Sequence, residues 1–275
     1  MFNRCLASGF LVGHLWPSDN REDVMAPAPD RLTDFVVGIV GFGAFGQLMA
    51  DHLTKYFRIL VYDVAADANR AAELGVEVVP LERIADCSVV VLSVPVNSMR
   101  GVFIQITPYL RPGAVVVDVG SVKLEPAAAM EEHLPDHIEV VATHPLFGPR
   151  SVGDGLRGLK IAVCPIRGAR FRVAAFCRML GLKVVMTTPE EHDRDLANVQ
   201  GLTHLVANVL ANMDLRPTRM TTRSFDLMIA AVEAVRHDAP EIIHAILRTN
   251  PYAGDMIARF KAATLAFEDR SSPGG

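Results

Sequence analysis

Hydrophobic residues along this chain fall into two regimes. Up to about Thr188 they come in short unbroken runs at residues 35–41, 58–63, 89–95, 114–118 and 138–143, with two more at 161–164 and 183–186. Strands buried on both faces need unbroken rather than alternating hydrophobicity, and the stretches between the runs read as helices or tight turns. The pattern therefore predicts a doubly wound α/β domain with a parallel sheet over residues 34–188. Beyond Pro189 the strand-like runs stop. Leu196, Val199, Leu202, Leu205, Val206, Val209 and Leu210 recur at helical spacing, which predicts an all-α domain over residues 189–270. Its first helix is apolar over a wider arc than a surface helix needs, so it is expected between domains or between subunits. Residues 1–33 and 271–275 are expected to be disordered extensions, and Met25 is a candidate alternative start.

Composition narrows the function classes. With 275 residues, half of them hydrophobic, the chain can bury a full core. A formal charge of −4 gives none of the basic excess that a phosphate-binding surface needs, so no nucleic-acid partner is expected. Cys5, Cys87, Cys164 and Cys177 are scattered without a C-x-x-C spacing. They predict free thiols in a reducing cytoplasm and no metal site. No apolar run approaches the ~20 residues of a membrane span, and the mildly apolar Leu6 to Trp16 lacks a cleavage site, so neither membrane anchoring nor secretion is expected.

The first chemistry lies in Gly41-Phe42-Gly43-Ala44-Phe45-Gly46, between the first predicted strand and a helix. In a Rossmann-type domain, Gly41 would permit the tight turn, Gly43 would admit a pyrophosphate to the backbone, and Gly46 would let helix pack on strand. The second strand ends in Asp63, whose carboxylate can accept hydrogen bonds from both ribose hydroxyls and would repel a 2′-phosphate. NAD is therefore expected rather than NADP, Arg70 being the one nearby cation to set against this. Helix capping is the other role open to Asp63. Ser93, Val94 and Pro95 end the fourth strand over the nicotinamide side of such a cofactor.

Two further phrases follow β-branched runs: Asp118-Val-Gly-Ser121-Val-Lys123 and Thr143-His144-Pro-Leu-Phe-Gly-Pro149. A histidine has a near-neutral pKa suited to taking a proton, and Pro145 restricts His144 to extended backbone. Together with the glycine loop and the run from Glu191-His192-Asp193-Arg194 to Gln200-Gly-Leu-Thr203-His204, these phrases resemble the prephenate/arogenate dehydrogenase family of tyrosine biosynthesis. The likeness is to its short, plant-like and cyanobacterial-like branch, over residues 35–267.

That resemblance implies NAD(P)-dependent oxidative decarboxylation of a cyclohexadienyl dicarboxylate. It implies a catalytic His144 assisted by Ser121, and a substrate pocket that includes Asn198, Gln200, Thr203 and His204. Asn198, neutral where arogenate-preferring relatives tend to be acidic, favours prephenate, with arogenate as the alternative and Asp195 nearby as the counter-indication. Lys123 is left open between sensing ligand charge and being solvated, and His192 and Asp195 can be read as exposed polar positions of a helix. The chain departs from the family's F-R-D-type phrase; Arg223 or Arg150 is a candidate for the substrate carboxylate, although an exposed salt bridge serves Arg223 equally well. Eight Lys/Arg against one acid, Asp154, between Arg150 and Lys183 form either an attractive field for anions or an ordinary solvated face. The resemblance also implies a homodimer through the helical domain, for which the apolar excess of its helices supplies a physical reason.

Two rival functions differ in what they require. A β-hydroxyacid or 6-phosphogluconate-type dehydrogenase would need a lysine on the helical domain, and none occurs between Lys183 and Lys261. A non-catalytic NAD-binding sensor or scaffold would have no turnover to lose when His144 is changed to Asn.

Overall fold

The computed structural model describes residues 36–153, 155–213, 215 and 218–271. The expectations for the N-terminal extension, Cys5, Phe35, Asp154 and residues 272–275 lie outside them. Among the described residues eight strands form one sheet: β1 (Val36–Val40), β2 (Arg58–Tyr62), β3 (Glu77–Val78), β4 (Val89–Leu92), β5 (Val115–Asp118), β6 (Glu139–Pro145), β7 (Lys160–Arg167) and β8 (Lys183–Met186). Their spatial order is β3-β2-β1-β4-β5-β6-β7-β8, so the chain winds outward from β1 in one direction and then, through β4, in the other.

Two features depart from the pattern predicted by hydrophobicity. The strand β3 has only two residues, both exposed, and therefore leaves no apolar run to detect. The sheet is also not wholly parallel: β7 runs antiparallel to β6, pairing His144 with Ala162 and Pro145 with Ile161. A parallel return needs a long crossover, usually helical, whereas the connection after Pro145 carries no regular helix among its described residues and turns through Gly153, Gly155 and Gly158, all with positive φ.

Helices α1 (Ala44–Leu53), α2 (Ala68–Glu73), α3 (Leu81–Ala85), α4 (Val96–Ile106), α5 (Leu124–His133) and α6 (Arg170–Met179) cover the sheet. One core layer joins Val90, Leu92 and Val116 to Met99, Phe103 and Met130 of α4 and α5. The opposite layer joins Ile39, Ile59 and Val61 to Ala50 and Leu53 of α1. This two-sided burial is the physical origin of the continuous hydrophobic runs.

After β8 every regular element is helical among the described residues. Thr188 caps α7 (Pro189–Leu196) with a reciprocal bond pair to Glu191, and Pro189 occupies the first turn, where its missing N–H costs nothing. A π-helical turn at Ala197–Gly201 leads into α8 (Leu202–Ala211), followed by α9 (Arg223–Val235), α10 (Pro240–His244), a second π-helical turn at Ala245–Thr249, and α11 (Ala253–Ser271). The two π-helical turns pack against each other. Turns of this kind are rare and concentrate at functional sites.

Candidate active site

The glycine loop has the geometry of a phosphate cradle. Gly41 adopts φ +99°, and a Cβ there would stand 2.2 Å from the Ser93 carbonyl oxygen, so β1 and the end of β4 approach as only glycine allows. A Cβ on Gly46 would lie 2.1 Å from the Gly41 oxygen, which seats α1 tightly on the loop. At Gly43, the N-cap of α1, a Cβ would meet nothing within 4 Å. Open space in front of a ten-residue helix start with no acidic side chain in its first turn is where a pyrophosphate fits.

Asp63 is held at the end of β2 by the loop itself. Phe42 donates its N–H to Oδ2 at 2.7 Å and Ala65 donates to Oδ1 at 2.8 Å, leaving lone pairs on both oxygens for ribose hydroxyls. The alternative role of helix cap belongs instead to Asp67, which accepts from Asn69 and Arg70 at the start of α2. The Arg70 guanidinium is engaged by Glu73 and Gln47. Ser93 donates its N–H to the Val40 carbonyl at 2.7 Å, and Pro95 caps α4.

A second, buried polar cluster lies at the same edge of the sheet. The Phe45 and Phe147 rings, 6.1 Å apart, join the glycine helix to the loop that follows His144. Asp118 and Lys123 are both 0% exposed and form an ion pair, with the Lys123 ammonium also donating to the Thr143 carbonyl at 2.6 Å. The reading of Lys123 as a solvated side chain is thereby corrected. The carboxylate further accepts from Gly120 N–H at 2.8 Å, and the Thr143 hydroxyl donates to the Asp118 carbonyl at 2.6 Å. Burial pushes the Asp118 carboxyl upward against the pull of the ammonium and the backbone donors. The pair pins the end of β6, and with it His144, against the end of β5.

His144 is 5% exposed, and its Nδ1 lies 2.9 Å from Nε2 of His192. His192 Nδ1 lies in turn 2.8 Å from Asp193 Oδ1. Asp193 is fully buried and accepts from the backbone N–H groups of Lys123 at 2.7 Å and Leu124 at 2.9 Å, while its carbonyl accepts from the Asn250 side chain at 2.8 Å. The expectation that His192 sits exposed is therefore corrected: the fold turns it inward onto His144. His192, Asp193 and Asn250 were not picked out as site residues from the sequence. The signals for His192 and Asp193 were their place in the Glu191–Arg194 phrase and just inside a capping box; nothing marked Asn250, and partners 48 residues apart cannot be read from spacing. Burial first, then the neighbouring His192 and the Lys123 ammonium, hold His144 well below its ordinary pKa, so it is neutral, the form that can accept a proton.

The other expected site residues are placed as follows. Ser121 is half-buried on the loop whose next residues, Lys123 and Leu124, bind Asp193. Asn198 is exposed, donates to the Arg194 carbonyl and accepts from Arg259. Thr203 is exposed with its hydroxyl bonded to the Val199 carbonyl, and the Gln200 carbonyl lies 2.9 Å from His204 Nδ1. His204 is buried, its Nε2 3.0 Å from Asp238, which ties α8 to the end of α9. Arg223 and Arg150 are exposed. The hydrogen bonds found for Asn198, Thr203 and His204 thus stay within the helical region. A cleft of about 310 Å³ opens between the start of α4 and α10, where Val96, Asn97, Glu241, His244 and Thr249 line it. Cys87, Cys164 and Cys177 are buried free thiols, burial pushing Cys164 up to about 12. No cluster of potential metal ligands occurs among the described residues, and none of their helices is long and apolar enough to cross a membrane.

Comparison with known proteins points to one family. Residues 49–159 match the family model described as prephenate dehydrogenase, nucleotide-binding domain, and residues 188–268 match that of prephenate dehydrogenase, dimerization domain. The chain is 30% identical over 236 residues to a probable arogenate/prephenate dehydrogenase of Methanocaldococcus jannaschii, covering 80% of this chain and 53% of that protein. It is 29% identical over 241 residues to the chloroplastic arogenate dehydrogenase 1 of Arabidopsis thaliana, covering 82% of this chain and 38% of the relative. The chain thus spans about half, or less, of the length of these relatives. Among solved structures it is similar to prephenate dehydrogenase from A. aeolicus in complex with hydroxyphenyl propionate and NAD+, with a TM-score of 0.71, 24% identity, and coverage of 87% of this chain and 91% of that one. That likeness shows a shared fold.

Proposed function

The chain belongs to the prephenate dehydrogenase family, and from there we propose that it catalyses the NAD-dependent oxidative decarboxylation of prephenate to 4-hydroxyphenylpyruvate and carbon dioxide in tyrosine biosynthesis. The observation that carries this reading is a neutral, buried His144 with one nitrogen tied to His192, at the sheet edge shared with the glycine loop. A nicotinamide dinucleotide bound on that loop supplies the hydride acceptor. The protein's part is to polarise the ring hydroxyl, hold its proton at His144 Nε2 and fix the ring. Loss of carbon dioxide then aromatises the ring, and the borrowed proton returns to the oxygen. Ser121, on the neighbouring loop, is assigned to orient that hydroxyl.

Asp63, held by Phe42 and Ala65, supports NAD over NADP, because a carboxylate at the end of β2 would repel a 2′-phosphate and the Arg70 guanidinium is already engaged. We assign nucleotide binding to residues 34–188, and substrate closure and homodimer formation to residues 189–270. Exposed Val199, Val209, Leu227, Met228, Leu265 and Phe267 give that helical region an apolar surface suited to a second copy. A cytoplasmic setting fits the buried free thiols.

Arogenate is the second reading, favoured by the name of the A. thaliana relative, while that of the M. jannaschii relative carries both substrates. The neutral Asn198, paired with Arg259 rather than carrying a charge for an ammonium, favours prephenate. The deciding experiment follows reduced nicotinamide with purified protein, NAD and each substrate in parallel, with His144→Asn as control. Turnover of prephenate, little of arogenate and none by the variant is the expected result. Failure of both substrates would remove the tyrosine-pathway reading, and equal rates for His144→Asn would remove the base.

A further inference from the structure

We propose that His192 is a proton-relay residue acting through His144, so that the positive charge created during turnover comes to rest on His192 beside Asp193. The inference deepens the oxidoreductase reading above and rests on it for the origin of the proton. It starts from the hydrogen bonds themselves. Asp193 Oδ1, which already accepts from the Lys123 N–H, can only accept from His192, so His192 Nδ1 carries a hydrogen. A neutral His192 then has a bare Nε2, which accepts from His144 Nδ1–H at 2.9 Å. His144 Nε2 is left as the bare nitrogen. One buried carboxylate thus sets the tautomers of two imidazoles, and the second is in the form a general base needs.

The same chain carries a proton onward. The substrate O–H bond breaks and His144 Nε2–H forms; His144 Nδ1–H breaks and His192 Nε2–H forms. His144 ends neutral in its other tautomer, and His192 ends as an imidazolium whose Nδ1–H stays on Asp193. When decarboxylation returns an electron pair to the ring oxygen, each transfer reverses. The proton is only borrowed, so no further acid or base is needed.

The charges around the two rings favour this resting place. Burial first, then the neighbouring His192 and the Lys123 ammonium, oppose a positive charge on His144. His192 has the Asp193 carboxylate in direct contact on its own helix and His144 on β6, while Lys123, at the start of α5, gives its N–H to Asp193 and its ammonium to Asp118. Cys164, on β7, keeps its proton because burial pushes it up to about 12. Both rings are almost wholly buried, with centroids 5.1 Å apart and planes at 64°, so water offers the proton little alternative route.

His192→Gln tests the relay, because a glutamine oxygen can still accept from His144 Nδ1–H but cannot hold a proton. The expected result is a fall in kcat of about 100-fold, the lower end of what a positioned base contributes. KM and the affinity for reduced nicotinamide dinucleotide should be retained, and the acid limb of the kcat/KM profile should move to lower pH. A variant that keeps kcat within about threefold and leaves the limb in place would reduce His192 to a tautomer support and overturn the proposal.

Histidine ¹⁵N NMR on the wild-type protein gives an arm independent of the variant's folding. Lowering the pH should protonate His192 before His144, with the resonances assigned by difference from His192→Gln and His144→Asn. An imidazolium signal appearing first at His144 overturns the relay. If wild-type protein turns over neither substrate, the oxidoreductase reading fails, and the titration order still decides the relay.

Discussion

Removing the Lys123 ammonium should be among the most damaging single changes available in this fold. In Lys123→Met the apolar stem is conserved and the charge is lost, leaving the Asp118 carboxylate fully buried with only the Gly120 and Thr143 N–H groups as partners. Breaking a buried pair from one side costs about 3–5 kcal/mol, a large share of the roughly 5–15 kcal/mol that holds a protein together. For a chain of this size the loss corresponds to a fall in Tm of about 6–20 °C. The stranded carboxyl will prefer to be protonated. A carboxyl with a raised folded pKa binds more protons folded than unfolded, so the variant's deficit should widen as pH rises above about 3.9.

The assay is urea denaturation at fixed protein concentration over a pH series, for wild type, Lys123→Met, and the double variant Lys123→Met with Asp118→Asn. In the double variant neither charge remains and the amide oxygen can still accept from Gly120, so most of the loss should be recovered. A single variant within about 1 kcal/mol of wild type, or a double variant as unstable as the single, would refute the account of the pair as a coupled buried unit.

Two of the loop glycines should separate by geometry: Gly43→Ala should keep its Tm and lose cofactor affinity, while Gly46→Ala, whose Cβ meets backbone at 2.1 Å, should lose both. Parallel thermal melts and cofactor titrations check this, and a tight-binding Gly43→Ala would refute the cradle. His144 should make the fold acid-sensitive. Its folded pKa is depressed, so below about 6.5 the unfolded chain binds the extra proton and stability falls with pH by up to about 1.4 kcal/mol per unit. His144→Asn should flatten that slope, and identical slopes in denaturation titrations would contradict it. At the start of α7, Thr188→Ala removes one half of the capping box and should cost about 1 kcal/mol, measurable by urea denaturation.

The sheet and the helical region were legible along the chain because burial on both faces imposes unbroken runs and amphipathic helices impose a period; neither depends on distant partners. The glycine loop was legible for the same reason, since Gly41, Gly43 and Gly46 answer to steric demands within a few residues of one turn. Composition carried no trace of the reversal at β7, because strand direction depends on how the connection closes and not on the strand's own side chains. Lys123 and His192 look like solvated residues in sequence, and both are buried. Each is held inside by a carboxylate, Asp118 in one case and Asp193 in the other, and the second pair meets His144 from 48 positions away. Local sterics and periodicity can be read from neighbours in the chain. A buried charge network exists only where the fold brings its members within hydrogen-bonding distance and excludes water, so its residues take their roles from the packing of β5, β6, α5 and α7.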